Sequence, residues 1–277
     1  MVKKFLLISF FICLTFDSCS GKELEWYTVL RISDGKKVTF EQMIDDIINS
    51  DIIIVGELHD VKEHHQFQLK VIKSIYEKEK NIAIAMEMFR ADSQDSLDKW
   101  VSGNMALDDF IKVYYDNWRT GWPLYADILI FARDNKIPLI GLNVPPEITR
   151  KVAQKGFASL TKEDLKKLPK GVSCDISETY MNFIRKTHSF HSSGKEFIYF
   201  CEAQMLWDRA MAINTINYKK EKNIKKVILL TGRGHAWKHA IPEQIKQIAN
   251  YKVSVILPDL VDKDQPILTT DDADYMF

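Results

Sequence analysis

Two short stretches of the same spacing, Gly56-Glu57-Leu58-His59 and Gly232-Arg233-Gly234-His235, join a glycine-led turn to carboxylate and imidazole groups. A carboxylate beside an imidazole can move protons or hold a divalent cation. Glu87, at the end of the apolar run Ile82 to Met86, adds a second carboxylate. Together Glu57, His59, Glu87 and His235 have the donor types of a catalytic zinc site, which needs about three protein ligands and an open position for an activated water. The same residues can instead tie loop backbones and one another together by charge-assisted hydrogen bonds.

A further constellation lies between Ser177 and His191, which reads as a helix running into a histidine-bearing loop. Tyr180, Lys186, His188 and His191 fall within it. Iron(III) in haem accepts a phenolate axial ligand, and its propionates seek cationic or hydrogen-bonding groups. The plainer alternative is that Tyr180 packs its ring with Phe183 and Ile184 while His188 and His191 titrate in solvent. His64 and Gln68 share a face of a helix beginning near Val61, where His64 reads as a surface or capping histidine.

These residues need a scaffold that brings distant segments together. Strands are expected at Trp26 to Ile32, Asp51 to Val55, Ile82 to Met86, Pro138 to Leu142, Lys226 to Leu230 and Lys252 to Leu257. Several are continuous apolar runs, as in a sheet covered on both faces. Helical patterns lie between them, at Phe40 to Ile48, Glu63 to Glu79, Pro123 to Asn135, Pro146 to Gly156 and Pro242 to Asn250. The alternation predicts an α/β fold with a central, mostly parallel sheet flanked by helices. An inserted helical cap is expected around residues 91–223, interrupted by one sheet strand and rich in aromatic side chains, among them Trp118, Trp207 and Tyr125. In such folds the carboxyl ends of neighbouring strands meet at one crevice, which would gather Glu57, His59 and His235. The tail from Val261 onward reads as peripheral and disordered.

The 38 basic and 38 acidic residues cancel, so no global field gathers nucleic acid, and nucleic-acid binding is disfavoured. The first residues depart from that balance: Lys3 and Lys4 precede the apolar run Phe5 to Phe16 and then Ser18-Cys19. This is the pattern of an export signal, too short to span a bilayer. Residues 1–18 are therefore expected to be a lipoprotein-type signal peptide, and 19–277 a single α/β domain. Phe16-Asp17-Ser18-Cys19 resembles a bacterial lipobox, which would place a lipid on Cys19. Cys174 and Cys201 remain in the domain, either paired in an oxidising compartment or buried as free thiols.

Taken as a whole the chain resembles the ChaN family of bacterial haem-binding lipoproteins, within a superfamily shared with Tiki and TraB metalloprotease-like proteins and erythromycin esterases. The resemblance rests on Val55-Gly56-Glu57-Leu58-His59 with His65 and Gln68, on Glu87-Met88-Phe89, and on Trp118 and Trp122-Pro123-Leu124-Tyr125. It continues through Ile137 to Pro145, Glu202 to Ala212, Thr231 to His235 and Ile241-Pro242. It implies a binding protein of haem and iron uptake, lipid-anchored in the bacterial cell envelope and facing the periplasm or the outer surface. It also implies haem held at a homodimer interface by a tyrosine, with a haem receptor or transporter as a further partner. On this chain the implied iron ligand is Tyr180, with Tyr125 second, and the propionate partners are His188, His191 and Lys186. The superfamily's metalloprotease members share the two Gly-x-x-His motifs, which keeps open a metal-dependent peptidase or esterase using Glu57, His59, Glu87 and His235.

Overall fold

The computed structural model describes residues 28–188, 194–259 and 268–277. In chain order the first half comprises β1 (Val29–Arg31), β2 (Lys36–Val38), α1 (Phe40–Ile47), β3 (Ile52–Glu57), α2 (Lys62–Lys78), β4 (Ile82–Arg90), α3 (Gln94–Ser102), α4 (Leu107–Asn117), α5 (Trp122–Asp134) and β5 (Leu139–Asn143). The second half comprises α6 (Pro146–Lys155), α7 (Lys162–Lys166), α8 (Glu178–His188), α9 (Lys195–Glu221), β6 (Lys226–Gly232), α10 (Arg233–Ala236), α11 (Ile241–Ile248), β7 (Val253–Leu257) and β8 (Tyr275–Met276).

These strands form one sheet in the order β2-β1-β8-β7-β3-β6-β4-β5. From β8 to β5 the neighbours run parallel, while β1 pairs antiparallel with both β2 and β8. The fold is therefore α/β with a mostly parallel sheet between helical layers. Because successive strand residues point to opposite faces, β3 sends Ile53 and Val55 into one core and Ile52 and Ile54 into the other. β4 follows the same rule with unequal sizes. Ile82, Ile84 and Met86 meet the layer of α1 to α5, and Ala83 and Ala85 leave room for the long helix α9 on the opposite face. The helices between residues 91 and 223 thus build both flanking layers, with β5 as the strand among them.

Local signals set the element boundaries. Thr39 caps α1 in a reciprocal arrangement with Gln42, each side chain accepting from the other's backbone N–H, and Thr161 and Asp164 repeat the device at α7. Pro123, Pro146 and Pro242 stand in the first turns of α5, α6 and α11, where no helical partner for an amide hydrogen is lost.

Two expectations are corrected. β4 runs on to Arg90, so Glu87 lies within a strand and not at its end. Of the tail from Val261 onward, residues 261–267 lie outside the described residues, and 268–277 are not peripheral: β8 fills the place between β1 and β7, Ala273 and Asp272 are buried, and the Asp274 carboxylate accepts from the Val255 N–H at 2.8 Å. Short strands with little apolar periodicity carry no sequence signal, and two aspartates of this segment act locally, Asp272 capping its turn and Asp274 joining it to β7.

Gly141 shows why the β4 to β5 seam needs a residue without a side chain. A Cβ there would collide with the Arg90 carbonyl oxygen and lie 2.9 Å from the Arg90 carbonyl carbon, where backbone of β4 cannot yield. Gly141→Ala is expected to lower stability by about 1–3 kcal/mol through overpacking. Equilibrium urea unfolding would check this as a shift of the midpoint at unchanged slope.

Candidate functional site

The site begins at the end of β3. Register pairs Glu57 with Gly232 of β6, so both glycine-led turns leave the sheet side by side. Glu57 is buried at the close of a strand made almost entirely of Ile and Val, and its oxygens draw partners from three elements. Oε1 accepts a very short hydrogen bond from the Tyr125 hydroxyl of α5 and lies 2.7 Å from His59 Nδ1. Oε2 meets His65 Nδ1 of α2 at 3.1 Å, an ion-pair contact. Burial works to raise this carboxyl, but the His59 and His65 contacts outweigh it and hold Glu57 at about 2. The Tyr125 phenol is pushed far up, by burial first and then by the Glu57 charge.

His65 faces acceptors on both ring nitrogens, with Glu57 and Gln68 Oε1 at Nδ1 and the His59 carbonyl at Nε2. A ring with acceptors on both sides satisfies them only as imidazolium. Its pKa is accordingly raised by Glu57 against the lowering effect of burial. His64, one residue earlier, accepts the Leu58 N–H at Nδ1 and is lowered by burial, the behaviour of a neutral capping histidine.

A second network stands on the other side of the turns. Glu87 Oε2 accepts from the Thr231 hydroxyl at 2.5 Å and the Gly232 N–H at 2.7 Å. His235, on the single turn of α10, has Nδ1 2.7 Å from Asp208 Oδ1 and Nε2 3.9 Å from Glu87 Oε1. Asp208 projects from α9 into the interior, and its other oxygen accepts from the Tyr180 hydroxyl at 2.6 Å. Burial alone would lower His235, but the charges of Glu87 and Asp208 lift it to about 9. Burial raises the Asp208 carboxyl above its ordinary value, against the bonds from His235 and Tyr180.

The two networks touch at Gly232. A Cβ on this residue would lie 2.9 Å from both Cε1 and Nε2 of His59 and 3.6 Å from Glu87 Oε2. Glycine is therefore needed here so that the His59 ring can stand over β6 beside Glu87. Each histidine is also flanked by an indole: Trp118 meets His59 edge-on at 5.0 Å and Trp207 meets His235 at 5.7 Å. Both indoles line a groove of about 630 Å³ together with Tyr115, Met88, Arg90, Arg119 and Arg150. The indole N–H groups of Trp118 and Trp207 are buried without a hydrogen-bond partner among the described residues.

The expected site residues are distributed unevenly around this centre. Glu57, His59, Glu87 and His235 do come together: Glu57 pairs with His59, while Glu87 accepts from Thr231 and Gly232 and His235 pairs with Asp208. As these side chains stand, no group of three or more His, Cys, Asp or Glu among the described residues is arranged to hold a metal ion. Tyr180 and Tyr125 are buried, each with its hydroxyl committed to a carboxylate, and neither lines the groove. The Lys186 ammonium lies 3.3 Å from Asp272 and over the Trp237 ring, away from the groove lining. His191, Cys19 and the side chain of His188 lie outside the described residues. Cys174 and Cys201 are free thiols. Asp208, Thr231 and Tyr115 were not expected. Asp208 has a readable signal, an acid amid Met205, Leu206, Ala210 and Met211 of a mostly apolar helical stretch.

The sequence pattern described as haem-binding uptake, Tiki superfamily, ChaN, matches residues 43–245, a span that holds both networks and the groove. The chain belongs to the ChaN family. Its fold is similar to that of Campylobacter jejuni ChaN, a protein described as binding heme cofacially, with a TM-score of 0.69 and 20% identity over 90% of this chain and 94% of that one. A mutant of the erythromycin esterase EreC in its open conformation aligns at a TM-score of 0.49 and 13% identity, over 84% of this chain and 77% of that one. Among curated proteins, the chloroplastic RETICULATA-RELATED 5 protein of Arabidopsis thaliana is 24% identical over 144 residues, half of this chain (50%) and only 19% of that protein's length.

The ChaN fold here makes a prediction about charge. Because His235 is raised when folded, its stabilising effect is fully present below about pH 6.5, its unfolded value, and is lost as pH rises through about 9. Asp208→Asn should move the His235 titration, followed by NMR of the ring protons, down toward the unfolded value. A His235 that titrates unchanged in that variant would show that Asp208 does not set its charge.

Proposed function

We propose that this ChaN-family protein is an exported, lipid-anchored haem-binding protein of haem and iron uptake, and that haem sits in the aromatic groove over the strand ends, between two copies of the chain. The observation that carries the reading is the groove itself. A flat apolar macrocycle with two carboxylates suits a concave surface of aromatic side chains with a few placed cations. Trp118 and Trp207 supply walls, and Arg90, Arg119 and Arg150 supply cationic partners for propionates.

In this reading the iron ligand is Tyr115 in place of Tyr180 or Tyr125. A phenolate ligand must be reachable and able to lose its proton. Tyr180 and Tyr125 are enclosed and bonded to carboxylates that favour the protonated phenol. Tyr115 is 49% exposed, lines the groove, and accepts from the Trp122 N–H at 3.2 Å with no carboxylate bonded to its hydroxyl among the described residues. Leu58, 37% exposed, is a further apolar side chain on this side of the molecule that a second copy would cover. His188 and His191 are retained as proposed propionate partners, Lys186 is not because Asp272 holds its ammonium away from the groove, and Cys19 is the proposed lipid attachment.

Titration of hemin into protein lacking residues 1–18 tests this. Saturable binding with a tyrosinate charge-transfer band, a monomer-to-dimer shift in sedimentation and loss of that band in Tyr115→Phe but not Tyr180→Phe are expected. Loss in Tyr180→Phe alone would return the assignment to Tyr180, and no saturation by either protein would refute the haem reading. The intact mass of membrane-extracted protein should show a lipid adduct at Cys19.

A further inference from the structure

The chain enters the domain at the same end of the sheet at which the groove opens. Leu30 of β1 pairs antiparallel with Met276 of β8, and β8 runs parallel to β7, so Thr28 stands where the parallel strands finish. The groove lies at that end too, since Met88 and Arg90 belong to the last residues of β4 and Asn143 ends β5. Five strand spacings separate β1 from β4, roughly 24 Å along one edge. Three exposed apolar side chains stand here as well: Leu58 after β3, Tyr115 near the end of α4 and Ile198 on the first turn of α9.

Helix α9 fixes the direction of this end. Asp208 meets His235 beyond the finish of β6, whereas the Lys219 ammonium donates to the Ile224 carbonyl, just before β6 begins, at 2.8 Å. The turns from Lys195 to Asp208 therefore project about 20 Å past the strand ends. Nine peptide steps separate Cys19 from Thr28, a reach of no more than about 32 Å. The six residues of β3 already span about 20 Å from one end of the sheet to the other. A lipid on Cys19 reaches the opposite end only if this segment is laid along the whole height of the domain, and it reaches the groove end from its root. Resting on the lipid attachment at Cys19 given above, we propose that the haem-free protein stands with its groove end toward the bilayer, so that the partner of this end is the lipid surface. Exposed apolar side chains at that end suit a membrane interface. Haem, with apolar faces and two carboxylates, is an amphiphile of the same kind, and haem held in the membrane has the groove mouth beside it. In the haem-loaded pair the second copy takes the place of the lipid.

The two ends of α9 serve as a ruler, because Ile198 and Glu221 are both exposed and about 35 Å apart along the helix. Lipidated, haem-free protein is placed in phosphatidylcholine vesicles with a fluorescent donor at Ile198→Cys or Glu221→Cys, Cys174 and Cys201 being replaced by alanine, and with an acceptor on the lipid headgroups. Energy transfer at least two-fold greater from position 198 is expected. Equal transfer, or greater transfer from position 221, would overturn the orientation and leave the anchor standing. An intact mass without lipid on Cys19 would overturn both together. Should replacement of the fully buried Cys201 unfold the chain, acetylation of lysines in the unsubstituted protein takes the place of the labels. Vesicles should then protect Lys195 several-fold relative to detergent-held protein and leave Lys222 as reactive as before, both being exposed. Protection of neither, of both equally, or of Lys222 alone would sink the proposal. No hemin is present, so the outcome is independent of the haem titration.

Discussion

A carboxylate sealed in a protein interior must be met by donors, and Glu57 places that demand at the centre of the sheet. Its partners come from α2, α5 and the turn after β3, so satisfying one side chain fixes the positions of three segments. Asp208 does the same from the opposite face, joining α8 through Tyr180 and α10 through His235. The helical layers are thus keyed to the sheet by charge as well as by apolar packing. Apolar contact tolerates sliding by a fraction of a side chain, whereas a buried carboxylate with directed donors does not.

The sheet makes these two demands adjacent. β6 returns between β3 and β4, so the chain switches direction of winding where Glu57 and Gly232 end their strands, beside Glu87 of β4. Crevices at such switch points are where open α/β sheets place their ligands. The same geometry explains the groove's composition, because the indoles of Trp118 and Trp207 arise from opposite helical layers and meet above the two histidines. The family's haem-binding character and the pairs beneath it share one crevice for this reason.

Much of this was legible in the residues. The apolar runs of β3, β4, β6 and β7 and the two Gly-x-x-His spacings located the sheet and its reactive edge, since burial on both faces leaves a strong compositional trace. The chemistry of that edge was less legible. Whether Glu57, His59, Glu87 and His235 converge as ligands or pair off depends on Asp208 and His65, residues distant in sequence whose placement only tertiary packing decides. Tyr180 and Tyr115 illustrate the same difficulty: a tyrosine on an amphipathic helix reads alike whether its hydroxyl ends in the core or at a rim. The C-terminal strand escaped notice because two residues carry no periodicity.

That strand also orders events in time. The hairpin of β1 and β2 is among the first parts of the chain to be synthesised, yet its connection to the parallel block runs through Tyr275 and Met276. The hairpin therefore cannot dock into the sheet until Tyr275, roughly 240 residues beyond β2, has emerged, about ten seconds to a minute later at ordinary rates of synthesis. Until then the chain keeps an open seam beside β7. A sheet whose closing piece follows its first hairpin by so much chain has a delay built into its connectivity.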